Sequence, residues 1–127
     1  MKKILGGTSY FFMRKLEVTK QCANCPWLVG SDPLAIPGYD IEMHRSLACT
    51  IADQQDVVSQ FNIEELKVMA CHYSKPDNQH YCIGWLFNQL GPGNNIALRL
   101  KMMGYENAKD IQVRGPQHEK FEDTFPK

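Results

Sequence analysis

KQCANCPW, residues 20–27, sets Cys22 and Cys25 two residues apart and closes the turn with Pro26 and Trp27. Such a pair can be half of a tetrahedral metal site, a redox couple or ordinary packing. The rest of the chain has to decide between them. The redox reading is the weakest of the three. A reactive pair of that kind sits at the start of a helix that lowers the first thiol's pKa, whereas here Pro26 and the breaker-rich stretch GSDPLAIPGYD (30–40) follow.

Further along, Cys71 and Cys82 complete a pattern C-x2-C, 45 intervening residues, then C-x10-C, with His72 directly after Cys71. Zinc takes four thiolate or imidazole ligands in a tetrahedron, and a C-x2-C turn lets two sulfurs converge on one ion. The second pair is spaced more widely than the two to four residues of an ordinary knuckle. The SKPDNQ loop (74–79) must therefore fold back on itself, which Pro76 and Asp77 permit. The expected ligands are Cys22, Cys25, Cys71 and Cys82, with His72 as the alternative to Cys71 and zinc as the expected ion. An iron–sulfur cluster is the alternative cofactor, since four cysteines also hold one and the Cys25-Pro26 pair has a parallel in ferredoxin-type ligand runs. Cys49, beside Leu47 and Ile51 in a helical pattern, reads as a core residue.

Around these residues the pattern is that of a small α+β domain, mainly helical with a few short strands, tied by a Cys-rich metal site. With 127 residues the chain is one domain by length, 1–127, with a basic aromatic arm at 1–20 and a surface-wrapping tail at 115–127. Leu16 and Val18 alternate with polar neighbours and predict a short strand. Asp40 is placed to cap a helix whose inward face carries Ile41, His44, Leu47 and Ile51, and His44 there is a packing residue rather than a catalyst. Asn62 caps NIEEL, while VMACH after it fits a short buried strand as well as a helix. Ile83, Leu86, Phe87 and Leu90 predict a helix ended by Gly91-Pro92-Gly93, and Asn94 or Asn95 caps another that stops at Gly104. IQV (111–113) fits a further strand. Trp27 and Trp85, next to the expected ligands, read as packing that dries the site.

Composition is that of a folding chain, 43% hydrophobic and 22% charged. Fourteen basic residues balance fourteen acidic ones, so the overall field does not draw the protein to nucleic acid or to an anionic membrane. A protein partner is favoured over nucleic acid, and no membrane is expected, because no apolar run approaches the roughly 20 residues of a spanning helix. MKKILGGTSYFFMRK (1–15) reads as mature sequence rather than as a leader, and five cysteines without an export signal fit a reducing, cytoplasmic setting. HExxH, GxSxG, the zinc-deaminase signature and a phosphate-binding glycine loop are all missing, which leans the reading toward a binding module and away from an enzyme. Candidate contact residues are Asn94, Asn95, Arg99 and Lys101, near the start of the last helix.

Taken in order, CANCPW, ACHYS, CIGWL and GNNIALRL resemble a family of small uncharacterised cysteine-containing proteins of bacteria and their phages, over about residues 21–104. The resemblance implies that Cys22, Cys25, Cys71 and Cys82 belong together, with Pro26, Trp27, His72, Gly84, Trp85, Asn95 and Arg99 as companions. It brings no activity with it. A phage origin would fit a host-directed or defence-countering binding role.

Overall fold

The second half of the chain supplies the scaffold. Helix α2 (Ile83–Leu90) is apolar on nearly every side, and only Phe87 of its large side chains faces solvent. A helix of that kind belongs inside a protein. Trp85 and Leu86 are fully enclosed, in one cluster with Leu16, Cys25, Trp27, Met69, Cys82, Leu98 and Phe121. Truncating an aromatic at such a place costs about 3–5 kcal/mol. Even its polar residues point inward and are bonded. Gln89 Oε1 accepts from Ala52 N–H and from Asn95 Nδ2, at 3.0 Å each, and Asn88 Nδ2 donates to the Glu119 carbonyl at 3.0 Å. Trp85 Nε1 donates to the Thr50 carbonyl at 3.0 Å. One helix thereby holds three other parts of the chain.

The computed structural model describes residues 14–54 and 58–127. Among them the architecture is one small, mainly helical domain, with three α-helices joined by 3₁₀ turns and few strand residues. Most of the expected basic aromatic arm lies outside the described residues. Helix α1 (Ile41–Ser46) begins where Asp40 accepts a hydrogen bond from Glu42 N–H, and α3 (Ile96–Met102) begins where Asn95 Oδ1 accepts from Leu98 N–H. Asn95, not Asn94, is the cap. The turn between α2 and α3 needs Gly93, because a Cβ there would lie 2.2 Å from Gln89 Nε2.

Four expectations change. The helix from Asp40 does not run on to Ile51: it tightens after Ser46 into a 3₁₀ turn, Leu47–Thr50. That change of period turns Cys49 outward, so Cys49 is exposed and not a core residue. NIEEL makes a single 3₁₀ turn, Ile63–Glu65, capped by Asn62. The expected strands at Leu16–Val18 and at 111–113 are extended segments joined by isolated parallel bridges, Arg14 to Tyr105 and Lys20 to Gln112. Between those bridges the Asn107 side chain replaces a peptide group, accepting from Leu16 N–H at 2.7 Å and donating to the Leu16 carbonyl at 3.0 Å. Finally, the tail does more than wrap the surface. Phe121 and Thr124 are buried, and His118 N–H donates to the Trp27 carbonyl at 2.8 Å.

His44 anchors that tail. Its ring is buried, stacks on Phe125 with centroids 4.0 Å apart, and meets Phe121 edge-on. Nε2 lies 2.9 Å from Thr124 Oγ1 and Nδ1 lies 2.6 Å from the Tyr39 hydroxyl. Burial pushes the His44 pKa below its ordinary 6.5. The unfolded chain then binds a proton more readily than the folded one. The contribution is complete above about pH 6.5 and is lost as the pH falls through that value toward the folded pKa. Urea midpoints measured from pH 7 to pH 5 should therefore fall more steeply for the wild type than for His44→Gln. Equal slopes would show that this ring does not set the acid sensitivity.

Candidate metal centre

Two turns bring the cysteines together. In the first, Cys25 N–H bonds back to the Cys22 carbonyl at 3.4 Å and Leu28 N–H to the Cys25 carbonyl at 3.0 Å, so the backbone coils tightly around the pair. In the second, Ser74 N–H bonds to the Cys71 carbonyl at 2.9 Å. The ten-residue interval folds back by antiparallel pairing: Cys71 N–H donates to the His80 carbonyl at 2.8 Å and Cys82 N–H to the Met69 carbonyl at 2.9 Å. Short extended segments thus set Cys71 opposite His80 and Cys82 opposite Met69, with the two cysteines on a diagonal across the Ala70–Tyr81 bridge. VMACH is the extended member of that pairing.

Cys82 stands directly before α2, and the first turn of α2 is what lets it reach the first pair. Gly84 faces Cys25, and a Cβ on it would lie 2.6 Å from Cys25 Sγ, 2.7 Å from Trp27 Cβ and 2.8 Å from Gln21 Nε2. Only glycine allows that approach. Across it the Cys25 and Cys82 sulfurs are 3.7 Å apart in the core, while Cys22 is half-buried, with its sulfur 4.0 Å from His72 Nε2. The side-chain contacts run Cys71 to Cys22 to Cys25 to Cys82. They form a string of four thiols. Among the described residues no group of three or more His, Cys, Asp or Glu side chains is gathered as tightly as a bound ion would require.

The string is electrically uneven. Hydrogen bonds from the Cys22 thiol and then the Cys82 thiol, helped by the Trp27 N–H and the Gln21 amide, pull Cys25 down to about 3 against the effect of burial. Cys71 is pulled down to about 6, chiefly by Cys22, with burial opposing and the Tyr73 N–H and the charge of His80 assisting. Cys22 and Cys82, the neighbours of those sulfurs, are pushed up; the single Cys22 hydrogen can serve Cys25 or Cys71 but not both at once. The string therefore favours negative charge on Cys25 first, and that charge opposes a second one on Cys71. The Nδ1 of His80, near Cys71, is buried without a hydrogen-bond partner among the described residues.

The other candidates lie elsewhere. Asn95 is buried at the α2–α3 junction, its amide engaged with Gln89 and its carbonyl with Leu98 N–H. Arg99 is exposed and donates from Nη2 to the Leu90 carbonyl at 2.8 Å. Asn94 is exposed with a left-handed φ of 47°, and Lys101 is half-buried. The residue that sequence reasoning missed is Gln21. Buried beside the cysteines, it exchanges two amide hydrogen bonds with Gln117, at 2.7 and 2.9 Å, and its Oε1 also accepts from Arg114 N–H at 2.9 Å. This fastens the tail to the thiol string. A glutamine between a lysine and a cysteine carries no signal of such burial. Gly84 did carry one, since a glycine inside an apolar helix costs about 1 kcal/mol and needs a reason.

A family model described as "Family of unknown function (DUF6283)" matches residues 17–124, and the chain belongs to that family. No curated protein and no solved structure matches it. No helix of the described residues is long and apolar enough to cross a membrane.

Because Cys25, Trp27 and Gln21 all crowd the face of Gly84, Gly84→Ala should destabilise the fold by about 1–3 kcal/mol, as overpacked cores do. Denaturant titration of the two proteins measures it. Gly30, whose Cβ would meet nothing within 4 Å, supplies the control: Gly30→Ala should change stability by less than about 0.5 kcal/mol.

Proposed function

We propose that Cys22, Cys25, Cys71 and Cys82 hold one structural zinc ion, and that the domain it stabilises is a cytoplasmic module that binds a protein partner. The observation that carries the metal reading is the 3.7 Å separation of Cys25 and Cys82 sulfurs that lie 57 residues apart in sequence. Four sulfurs at zinc–sulfur distances of ~2.3 Å sit roughly 3.8 Å from one another at the corners of a tetrahedron. Zinc binding would draw Cys22 and Cys71 from the string into the same set. His72, 4.0 Å from the Cys22 sulfur, is the neighbour that would substitute for a thiolate. The same spacing speaks against one thiolate on each iron of a four-iron cluster, which would hold the sulfurs farther apart.

The chemistry of the donor set supports a cation as the occupant, because two half-buried or buried cysteine pairs from distant segments converge on one place and the thiolate is the ligand form. The fold supports a structural role. Cys25 and Cys82 are enclosed by Trp27, Trp85 and Leu86, so the ion would tie two distant segments at the centre of the core. Binding free energy then becomes folding free energy, of order 10 kcal/mol for such sites. The balanced net charge supports a protein over a polyanion as partner. A phage-encoded, host-directed role is consistent with that chemistry.

Protein purified anaerobically without added metal should contain about one zinc per chain and show no visible absorption band. Cys22→Ser and Cys82→Ser should lower metal content and melting temperature together, while Cys49→Ser, on the exposed 3₁₀ turn, should leave the metal unchanged. Iron with acid-labile sulfide and a brown colour would establish the cluster instead. Full stoichiometric metal in Cys82→Ser would remove that residue from the set.

A further inference from the structure

A cleft of about 360 Å³ opens between the first cysteine turn, the loop before α1, α1 itself and the segment leading to Cys71. That size is within the range of small-molecule sites. Its walls are largely apolar, with Trp27, Ile36, Met43, Leu47 and Met69, and His72 and Cys82 line it where it borders the cysteines. Three polar residues, Tyr39, Asp40 and His44, line it at the α1 side.

The hydrogen bonding of those three decides what they offer. Thr124 has one hydroxyl hydrogen, and it goes to the Phe121 carbonyl at 2.6 Å. The 2.9 Å contact between Thr124 Oγ1 and His44 Nε2 must therefore be an N–H donation from His44. With Nε2 protonated, the neutral ring presents a lone pair at Nδ1, and the Tyr39 hydroxyl donates to it at 2.6 Å. The Tyr39 hydrogen is thus committed to His44, and the Tyr39 oxygen has only lone pairs left for the cleft. Asp40 adds a carboxylate, one oxygen of which accepts from Glu42 N–H. The polar end of the cleft accepts hydrogen bonds and carries negative charge. The rest is a largely apolar slot with Trp27 and the Tyr39 ring in its walls.

We propose that this cleft binds a free small molecule with an aromatic or aliphatic body and a cationic amine at one end. The body would lie against Trp27, Met43 and Met69, and the ammonium would donate to the Tyr39 oxygen and the Asp40 carboxylate. A single ring with a two-carbon chain fits the available volume, whereas a folded protein segment does not. Charge complementarity at the α1 end sets the preference for an amine, since an anionic group placed there would face two acceptors, the Tyr39 oxygen and the Asp40 carboxylate. The donors of the cleft, His72 and Cys82, lie on the cysteine side.

Phenethylamine and 3-phenylpropionate share a ring and a short chain and differ in the sign of the terminal charge. The full-length protein, labelled with ¹³C at the methionine methyls, reports on the cleft directly, because Met43 and Met69 line it and Met102 and Met103 do not. Phenethylamine should shift the Met43 and Met69 signals saturably, with a Kd below about 1 mM, and 3-phenylpropionate should bind at least about tenfold more weakly. Asp40→Asn keeps an equally good helix cap while removing the charge, so it should fold and lose most of the preference for the amine. Tyr39→Phe should weaken the amine and leave the acid unchanged. Equal binding of the two probes, shifts at Met102 and Met103 as large as those at Met43 and Met69, no saturation by 10 mM on the order expected of weak ligands, or an unaltered preference in Asp40→Asn would each overturn the proposal.

Discussion

The first turn of α2 rests directly on Cys25, and the molecule is arranged around that contact. Gly84 leaves no side chain between helix and turn, so Cys82 comes within 3.7 Å of Cys25 and Trp27 and Trp85 enclose both. Gln21 packs against the same glycine and carries the tail with it through Gln117 and Arg114. A methyl group at this one position would strain the contact between three parts of the chain, residues 21–27, α2 and the tail. The thiols are consequently not appended to a finished fold. Cys25 and Cys82 belong to its core, among Trp27, Trp85 and Leu86, and Cys22 packs against it.

The paired motifs were readable because their local chemistry is strong. C-x2-C followed by Pro26 can only turn, Asp40 and Asn95 sit where caps belong, and the apolar period from Ile83 to Leu90 has one interpretation. The tertiary substitutions were not readable. Gln21, Asn88 and Gln89 look solvated in sequence, yet all three are buried because each carboxamide finds partners from segments far along the chain. Cys49 failed for a different reason. A helical period was extended past Ser46, where the backbone had already tightened to three residues per turn, and the phase error put an outward residue inside.

His44 joins the long loop before α1 to the tail in a way that neither segment suggests. Its ring sits between Tyr39, from the long loop, and Thr124, from the tail, and the one-way run of hydrogen bonds from Tyr39 to the Phe121 carbonyl fixes which atoms donate. The same run gives the neighbouring cleft its polarity. A residue whose sequence position suggested only packing therefore also sets the hydrogen-bonding chemistry of the cleft it lines.

Asn107 has a consequence for how the protein meets others. By inserting an amide where a strand would place a peptide group, it stops the pairing of residues 14–20 with 105–112 from becoming a regular ladder. Among the described residues pairing never extends beyond isolated bridges. A sheet edge that could accept an added strand is thus not formed there, which protects the chain against edge-to-edge aggregation and denies any partner a backbone template to zip onto. Recognition at this face has to be done by side chains, one contact at a time.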